Sequence, residues 1–205
     1  MFLLVSAVLI LSTGCSRPMD YQDTELTVLF NIDADTKLAI VKPTTFKVID
    51  HVSYFMSNQS PIIEFIPNHE TKDQWSIIFT GIKYIGLGMQ NATYDTYLIN
   101  NIAQHASHVK ILQHTTKKYK NYTQSTLIIS YMLNNKREIL TTISYANKFD
   151  LVGFQLTIRP SETMSIKESI ASMKNFLLKN NYLLVKTTQD TNKPWKKISP
   201  ASTIQ

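Results

Sequence analysis

The stretch between Leu127 and Arg159 constrains the fold more than any other. It holds three runs rich in Ile, Leu, Thr, Tyr and Phe: Leu127–Leu133, Arg137–Tyr145 and Leu151–Arg159. Asn134-Asn135-Lys136 separates the first two, and Asn147–Asp150 separates the second two. Asparagine tolerates the left-handed backbone region and its side chain bonds back to nearby main chain, so both breaks read as tight turns. Three extended runs joined this way form an antiparallel meander. The whole chain has 205 residues, 43% of them hydrophobic and 18% charged. That suffices for one packed domain, which at this size buries roughly 70% of its unfolded surface.

Strand and helix signals extend the meander in both directions. Upstream, Leu26–Ile32 and Lys37–Val41 flank an Asp33-Ala34-Asp35 turn, and Phe46–Phe55, Pro61–Ile66 and Trp75–Ile85 follow as strands. Gly86 and Gly88 break the last of these. Over Tyr94–Leu112 the period changes: Tyr94, Leu98, Ile102, Ala106 and Val109 mark one helical face, with Thr93 as N-cap. Downstream, Ser165-Ile166-Lys167-Glu168 is a capping box that opens a helix whose stripe is Ile166, Ile170, Met173 and Leu177. Tyr182–Val185 is a last short strand. The expected class is α+β, a mainly antiparallel sheet with two helices packed on one face, in a single domain over residues 26–185. Over residues 40–185 this order of elements resembles the PsbP/Mog1 fold group, which includes bacterial lipoproteins.

The N-terminus carries a different signal. Met1 to Leu11 is apolar apart from Ser6. It is shorter than the about 20 residues of a membrane-spanning helix and has the length of a secretory h-region. It runs into Leu11-Ser12-Thr13-Gly14-Cys15, and Cys15 is the chain's one cysteine. This segment resembles the lipobox of bacterial lipoproteins. It departs from the family in having no Lys or Arg before the apolar run and in placing Leu11 four residues before the cysteine, where three is usual. The resemblance implies a signal peptide over 1–14, cleavage after Gly14, lipidation of Cys15 and a tether over 15–25. Ser16, where the enterobacterial sorting rule places Asp for inner-membrane retention, implies the outer membrane, on its periplasmic face.

The formal net charge is +6, and it is unevenly spread. Residues 18–36 carry five acids and no base, whereas residues 110–137 carry Lys110, Lys117, Lys118, Lys120, Lys136 and Arg137 and no acid. A basic, flexible tail is expected over 186–205, with Trp195 between Lys193 and the pair Lys196-Lys197. Lys117, Lys118, Lys120, Trp195, Lys196 and Lys197 are the candidate interaction residues, facing an acidic partner or anionic headgroups. Nucleic acid is not an expected partner, since no helix-turn-helix, RNP or zinc motif occurs.

Chemistry-bearing motifs are sparse. His105 and His108 are three apart on the expected helix, but a zinc site needs three or four ligands. There is no GxSxG, SxxK, GxGxxG or GxxxxGK[ST], and Asp50, Glu64 and Glu70 are carboxylates without selective spacing. No catalysis, metal or cofactor is expected. Two other roles compete: a ligand- or lipid-binding lipoprotein, and, lower, an envelope hydrolase. The leading expectation is a non-catalytic interaction or scaffold subunit of an envelope complex. The layout of signal, tether and small domain resembles accessory lipoproteins of type IV secretion core complexes of the Dot/Icm kind.

Overall fold

The computed structural model describes residues 26–31, 36–41, 45–49, 62–179, 183–187, 196–197 and 204. Side chains are described for 45–49, 62–177 and 204. The elements in chain order are β1 (Leu26–Asn31), β2 (Thr36–Val41), β3 (Phe46–Ile49), β4 (Ile62–Pro67), β5 (Ile77–Tyr84), α1 (Asn91–His105), β6 (Ser107–Lys118), β7 (Thr123–Leu133), β8 (Lys136–Ala146), β9 (Leu151–Ile158), α2 (Ile166–Lys179), β10 (Leu183–Thr187) and β11 (Lys196–Lys197). Seven strands form one sheet in the order β3-β4-β5-β9-β8-β7-β6, with every neighbouring pair antiparallel. A second sheet has the order β1-β2-β10-β11.

The meander is where the turns place it. Asn134 and Asn135 adopt φ of 49° and 61°, the two left-handed positions of a two-residue hairpin. They pin Leu133 opposite Lys136, and pairing continues from there to Thr123 opposite Ala146. Asn147 closes the next turn by accepting from the backbone N–H groups of Phe149 and Asp150. The capping box opens α2 as expected: the Glu168 N–H donates to Ser165 Oγ at 3.2 Å, and the Ser165 N–H donates to Glu168 Oε2 at 2.8 Å. From the expected stripe Met173 and Leu177 are buried against the sheet, with Ile166 and Ile170 packed beside them. Full burial of each stabilises by about 1.5–3 kcal/mol.

The helices do not share a face. Alternation along β7 sends Ile128 toward Met173 and Leu177 of α2, and Leu127, Ile129 and Tyr131 toward Leu98, Ile99 and Ile102 of α1. Along β8, Ile139 and Ile143 join the α2 side, while Leu140 joins the α1 side. The expectation of two helices on one face is therefore corrected: α1 and α2 cover opposite faces. The reason is that the central strands are apolar on both sides, and each uncovered side needs its own layer. Residues 124–131 of β7 are all buried.

Helix α1 also ends earlier than its periodicity implies. The expected span Tyr94–Leu112 divides into α1, which stops at His105, and β6, which begins at Ser107 after an extended Ala106. The N-cap is Gln90, not Thr93. Strand β6 carries register shifts between Ser107 and Lys110 and between Ile111 and Gln113, and His108 sits at φ 55°. In the region expected to be a tail, Lys186 and Thr187 lie in β10, Lys196 and Lys197 pair with Val185 and Leu184, and Ile204 is buried in the α2-side core.

Candidate functional site

Three groupings of polar or exposed side chains stand out, all set by α1 and the strand ends. The first lies beneath the start of α1. Asn91, Tyr94 and Asp95 fall on the helix face that meets the sheet, one turn before Leu98 and Ile102. Asn91 Nδ2 donates to the Ser144 carbonyl and to Ser144 Oγ at 2.7 Å, and Asn91 Oδ1 accepts from Thr123 Oγ1. Gln155 Nε2 donates to the Tyr94 hydroxyl at 2.9 Å. Burial pushes the Tyr94 hydroxyl well above the usual phenol range.

Asp95 is the centre of this layer. It is 1% exposed; its Oδ2 accepts from Ser125 Oγ at 2.6 Å and meets His114 Nε2 at 2.9 Å. Its Oδ1 has no hydrogen-bond partner among the described residues. The pairing of a buried Asp with a His whose side chain is 42% exposed is half of a hydrolytic triad. The other half is not assembled: the Ser125 hydroxyl donates to the same Asp95 oxygen that the imidazole meets, so it serves the carboxylate rather than the imidazole. The arrangement therefore does the work of a polar lock between α1, β6 and β7.

The second grouping lies on the same face at the opposite end of the sheet. Arg159 donates from Nε at 2.9 Å to Glu138 Oε1, and Nη2 meets the same oxygen at 2.8 Å. The guanidinium carbon lies 3.5 Å above the Trp75 ring. Tyr131 also bonds to Glu138, and burial together with that carboxylate pushes its hydroxyl far up. Beside it, Asn101, Ile102, His105, Ala106, Tyr131 and Leu133 line an open groove of about 220 Å³. That is below the roughly 300–1,000 Å³ of sites that enclose a drug-sized molecule.

The third grouping is set by register. Lys118 pairs with Thr123, Thr123 with Ala146, Ala146 with Leu151, and Leu151 with Tyr84. These residues form one row across the sheet. The connections 119–122, 147–150 and 85–90 therefore emerge side by side at one end, where α1 also begins. Phe149 is 62% exposed, and Ile85, Leu87 and Tyr119 are each more than 40% exposed. The loops are nonetheless built. The Gly86 N–H donates to Asp150 Oδ1 at 2.7 Å, the Gly88 N–H donates to the Phe149 carbonyl at 2.9 Å, and both glycines have positive φ. Tyr119 stacks on Tyr122 with centroids 4.6 Å apart, and Lys148 Nζ sits 5.5 Å from the Phe149 centroid.

Of the candidate interaction residues, Lys117, Lys118 and Lys120 are exposed and meet at this row and its first connection. Lys196 and Lys197 lie in β11, and their side chains, like Trp195 and Cys15 as a whole, are outside the described residues. The structure adds Lys148, Phe149, Leu87 and Ile85 to the lysine-rich end. Sequence reading missed them because only strand register brings them together; the exposed Phe within Asn147–Asp150 was the one visible signal. The paired histidines come apart: His105 Nδ1 lies 2.8 Å from the Asn101 carbonyl oxygen, and His108 Nδ1 meets Ser107 Oγ. Among the described residues, no three His, Cys, Asp or Glu side chains gather as a metal site would require. Glu70 binds Ser76 through both its oxygens, and burial raises the Glu64 carboxyl above the usual range against the opposing pull of Lys72 and Thr80. Asp50 is outside the described residues. Trp75 is half-buried beneath Arg159.

No protein-family profile matches the chain, and no curated protein matches it in sequence. Solved structures share its shape loosely. A Pseudomonas aeruginosa protein of unknown function is 12% identical, with 75% of this chain and 94% of that one covered and a TM-score of 0.41. The cyanobacterial PsbP of Synechocystis is 8% identical over 73% of this chain and 86% of its own, with a TM-score of 0.46. The Ran-binding protein Mog1p of Saccharomyces cerevisiae is 9% identical over 67% and 77%, with a TM-score of 0.41. The last two belong to the groups that the order of elements resembles.

Proposed function

We propose that the chain is a lipid-anchored, non-catalytic interaction subunit. Cys15 holds it to the periplasmic face of the outer membrane, where it joins a larger envelope complex such as a type IV secretion core. The observation that carries this reading is the chain's one cysteine at the end of an eleven-residue run containing a single polar residue. A diacylglycerol thioether with an amide-linked chain makes attachment effectively permanent, since one acyl chain alone binds only marginally. Ten residues lie between Cys15 and Leu26, the first residue of β1, which makes eleven Cα-to-Cα steps. At roughly 3.3–3.6 Å each, they let the folded part stand no more than about 40 Å from its anchor.

The experiment is crosslinking in intact cells followed by mass spectrometry, with Cys15→Ser beside the wild type. The expected result is crosslinks to envelope proteins, an acylated N-terminal peptide in the wild type, and loss of membrane sedimentation in the variant. Unaltered maturation and sedimentation of Cys15→Ser would overturn the anchor. A wild-type chain extracted as a free monomer without crosslinks would overturn the subunit role.

A further inference from the structure

We infer that the loop-bearing end of the seven-stranded sheet is a lipid-facing surface, which rests on an anionic phospholipid bilayer with Leu87 and Phe149 seated among the headgroups. Charge is the first argument. The three connections and the strand ends that carry them hold Lys83, Lys117, Lys118, Lys120 and Lys148 against one acid, Asp150, whose carboxyl is engaged with the Gly86 N–H. Counted in the same way, with the two terminal residues of each strand, the described connections at the other end, 68–76, 134–135 and 159–165, hold four Lys or Arg against three acids. The molecule is thus electrically lopsided along its strands, and its cationic end is attracted to anionic lipid. Helix α1 opens at the same end with no acid in its first turn, which adds the positive end of its dipole.

Shape and composition separate a bilayer from a protein partner. Leu87 and Phe149 are exposed in the connections themselves, and Lys148 Nζ lies 5.5 Å from the Phe149 ring centroid. Protein interfaces are depleted of lysine at their centres and favour arginine and packed aromatics. Here every cation is lysine, a compact charge on a long stem that reaches a headgroup while its methylenes lie along apolar surface. Backbone chemistry agrees. The N–H groups of Gly86, Gly88, Asn147, Phe149 and Asp150 are all bonded within the loop pair, so these tips can leave bulk water without stranding those donors. Rigid tips also lose little conformational freedom on docking. The inference rests on the anchored reading in one respect: a tether from Cys15 would keep the domain within reach of a bilayer, so that even weak docking is populated.

The test uses the full mature chain reconstituted in vesicles of phosphatidylethanolamine with one-third phosphatidylglycerol. Phe149→Trp adds a reporter at the tip, and His69→Trp adds one at the far end. The expected result is a blue shift and loss of at least half the added emission with brominated lipid for Trp at 149, and neither at 69. Equal behaviour of the two reporters would overturn the inference. In a second arm, Lys118→Glu, Lys120→Glu and Lys148→Glu are combined, all at exposed sites, and folding is checked by circular dichroism. Binding of chain without the acyl group to these vesicles is expected to fall on the order of a hundredfold. An unchanged affinity would overturn the inference, as would Phe149 crosslinking to a protein while remaining unquenched by lipid. The anchored reading fails separately, by an unacylated Cys15. Unacylated chain that still binds the vesicles through these lysines retains the docking surface without the anchor.

Discussion

Arg159 is the residue whose loss the structure allows to be worked through. Its guanidinium makes two contacts to one oxygen of Glu138, whose side chain is 3% exposed, and stacks on Trp75. Arg159→Met removes the cation and leaves a buried carboxylate held by the Tyr131 hydroxyl. Removing one member of a buried pair costs about 3–5 kcal/mol. Arg159 itself is 19% exposed, so water can reach the vacated position and the lower end applies. Loss of the stack on Trp75 adds about 0.5–1 kcal/mol. The expected cost is then roughly 3–4 kcal/mol, a large share of the 5–15 kcal/mol that holds a domain together. Replacing Glu138 as well, in Arg159→Met/Glu138→Gln, removes the stranded charge and should recover most of the loss. Urea denaturation of the wild type, Arg159→Met, Glu138→Gln and the double variant closes a double-mutant cycle. A cost below about 1 kcal/mol for Arg159→Met, or a double variant no more stable than Arg159→Met, would refute the reasoning.

Three further outcomes are expected. Asp95→Ala strands the buried Ser125 hydroxyl and should cost about 1–3 kcal/mol, read by the same denaturation; a change within a few tenths would mean water already serves that hydroxyl. Ser165→Ala removes the α2 cap and should cost about 1 kcal/mol. The Ser165 hydrogen bonds hold the Glu168 carboxyl below its usual range, so the difference between wild type and Ser165→Ala is full above pH 4.5 and shrinks as pH falls through that lowered value. Burial raises the Glu64 carboxyl, so the folded state binds its proton more tightly than the unfolded one, and ionisation opposes folding as pH rises above 4.5. Glu64→Gln should therefore raise the melting temperature at pH 7 relative to wild type and leave it unchanged at pH 4, measured by thermal melts at both.

How much was legible depended on whether a signal was local. The meander was, because Asn134-Asn135 and Asn147 each fix a turn by their own chemistry. So was α2, where Ser165, Glu168 and the spacing of Met173 and Leu177 agree. The boundary between α1 and β6 was not. Ala106 and Val109 happen to continue the helical period, while the two register shifts in β6 break the alternation that marks a strand. The side on which each helix lies was not legible either, since Leu127-Ile128-Ile129 is apolar at every position and names no outer face. The Asp95 layer escaped because its partners Ser125, Ser144 and His114 lie 19 to 53 residues away in sequence. Cys15 and Trp195 carried the strongest sequence arguments and lie outside the described residues.

Strand β6 leaves the molecule with twelve residues at the outer margin of a large sheet, the sort of margin on which a second copy could crystallise strand by strand. Its two slips of register and the left-handed His108 bend the first half of that margin and leave only Gln113–Lys118 in regular register. Lys110, Lys117 and Lys118 add mutual repulsion between copies. Crowded molecules of this protein are thereby kept from zipping into ribbons, and straightening β6 by deleting a slipped residue would trade a tidier strand for fibres.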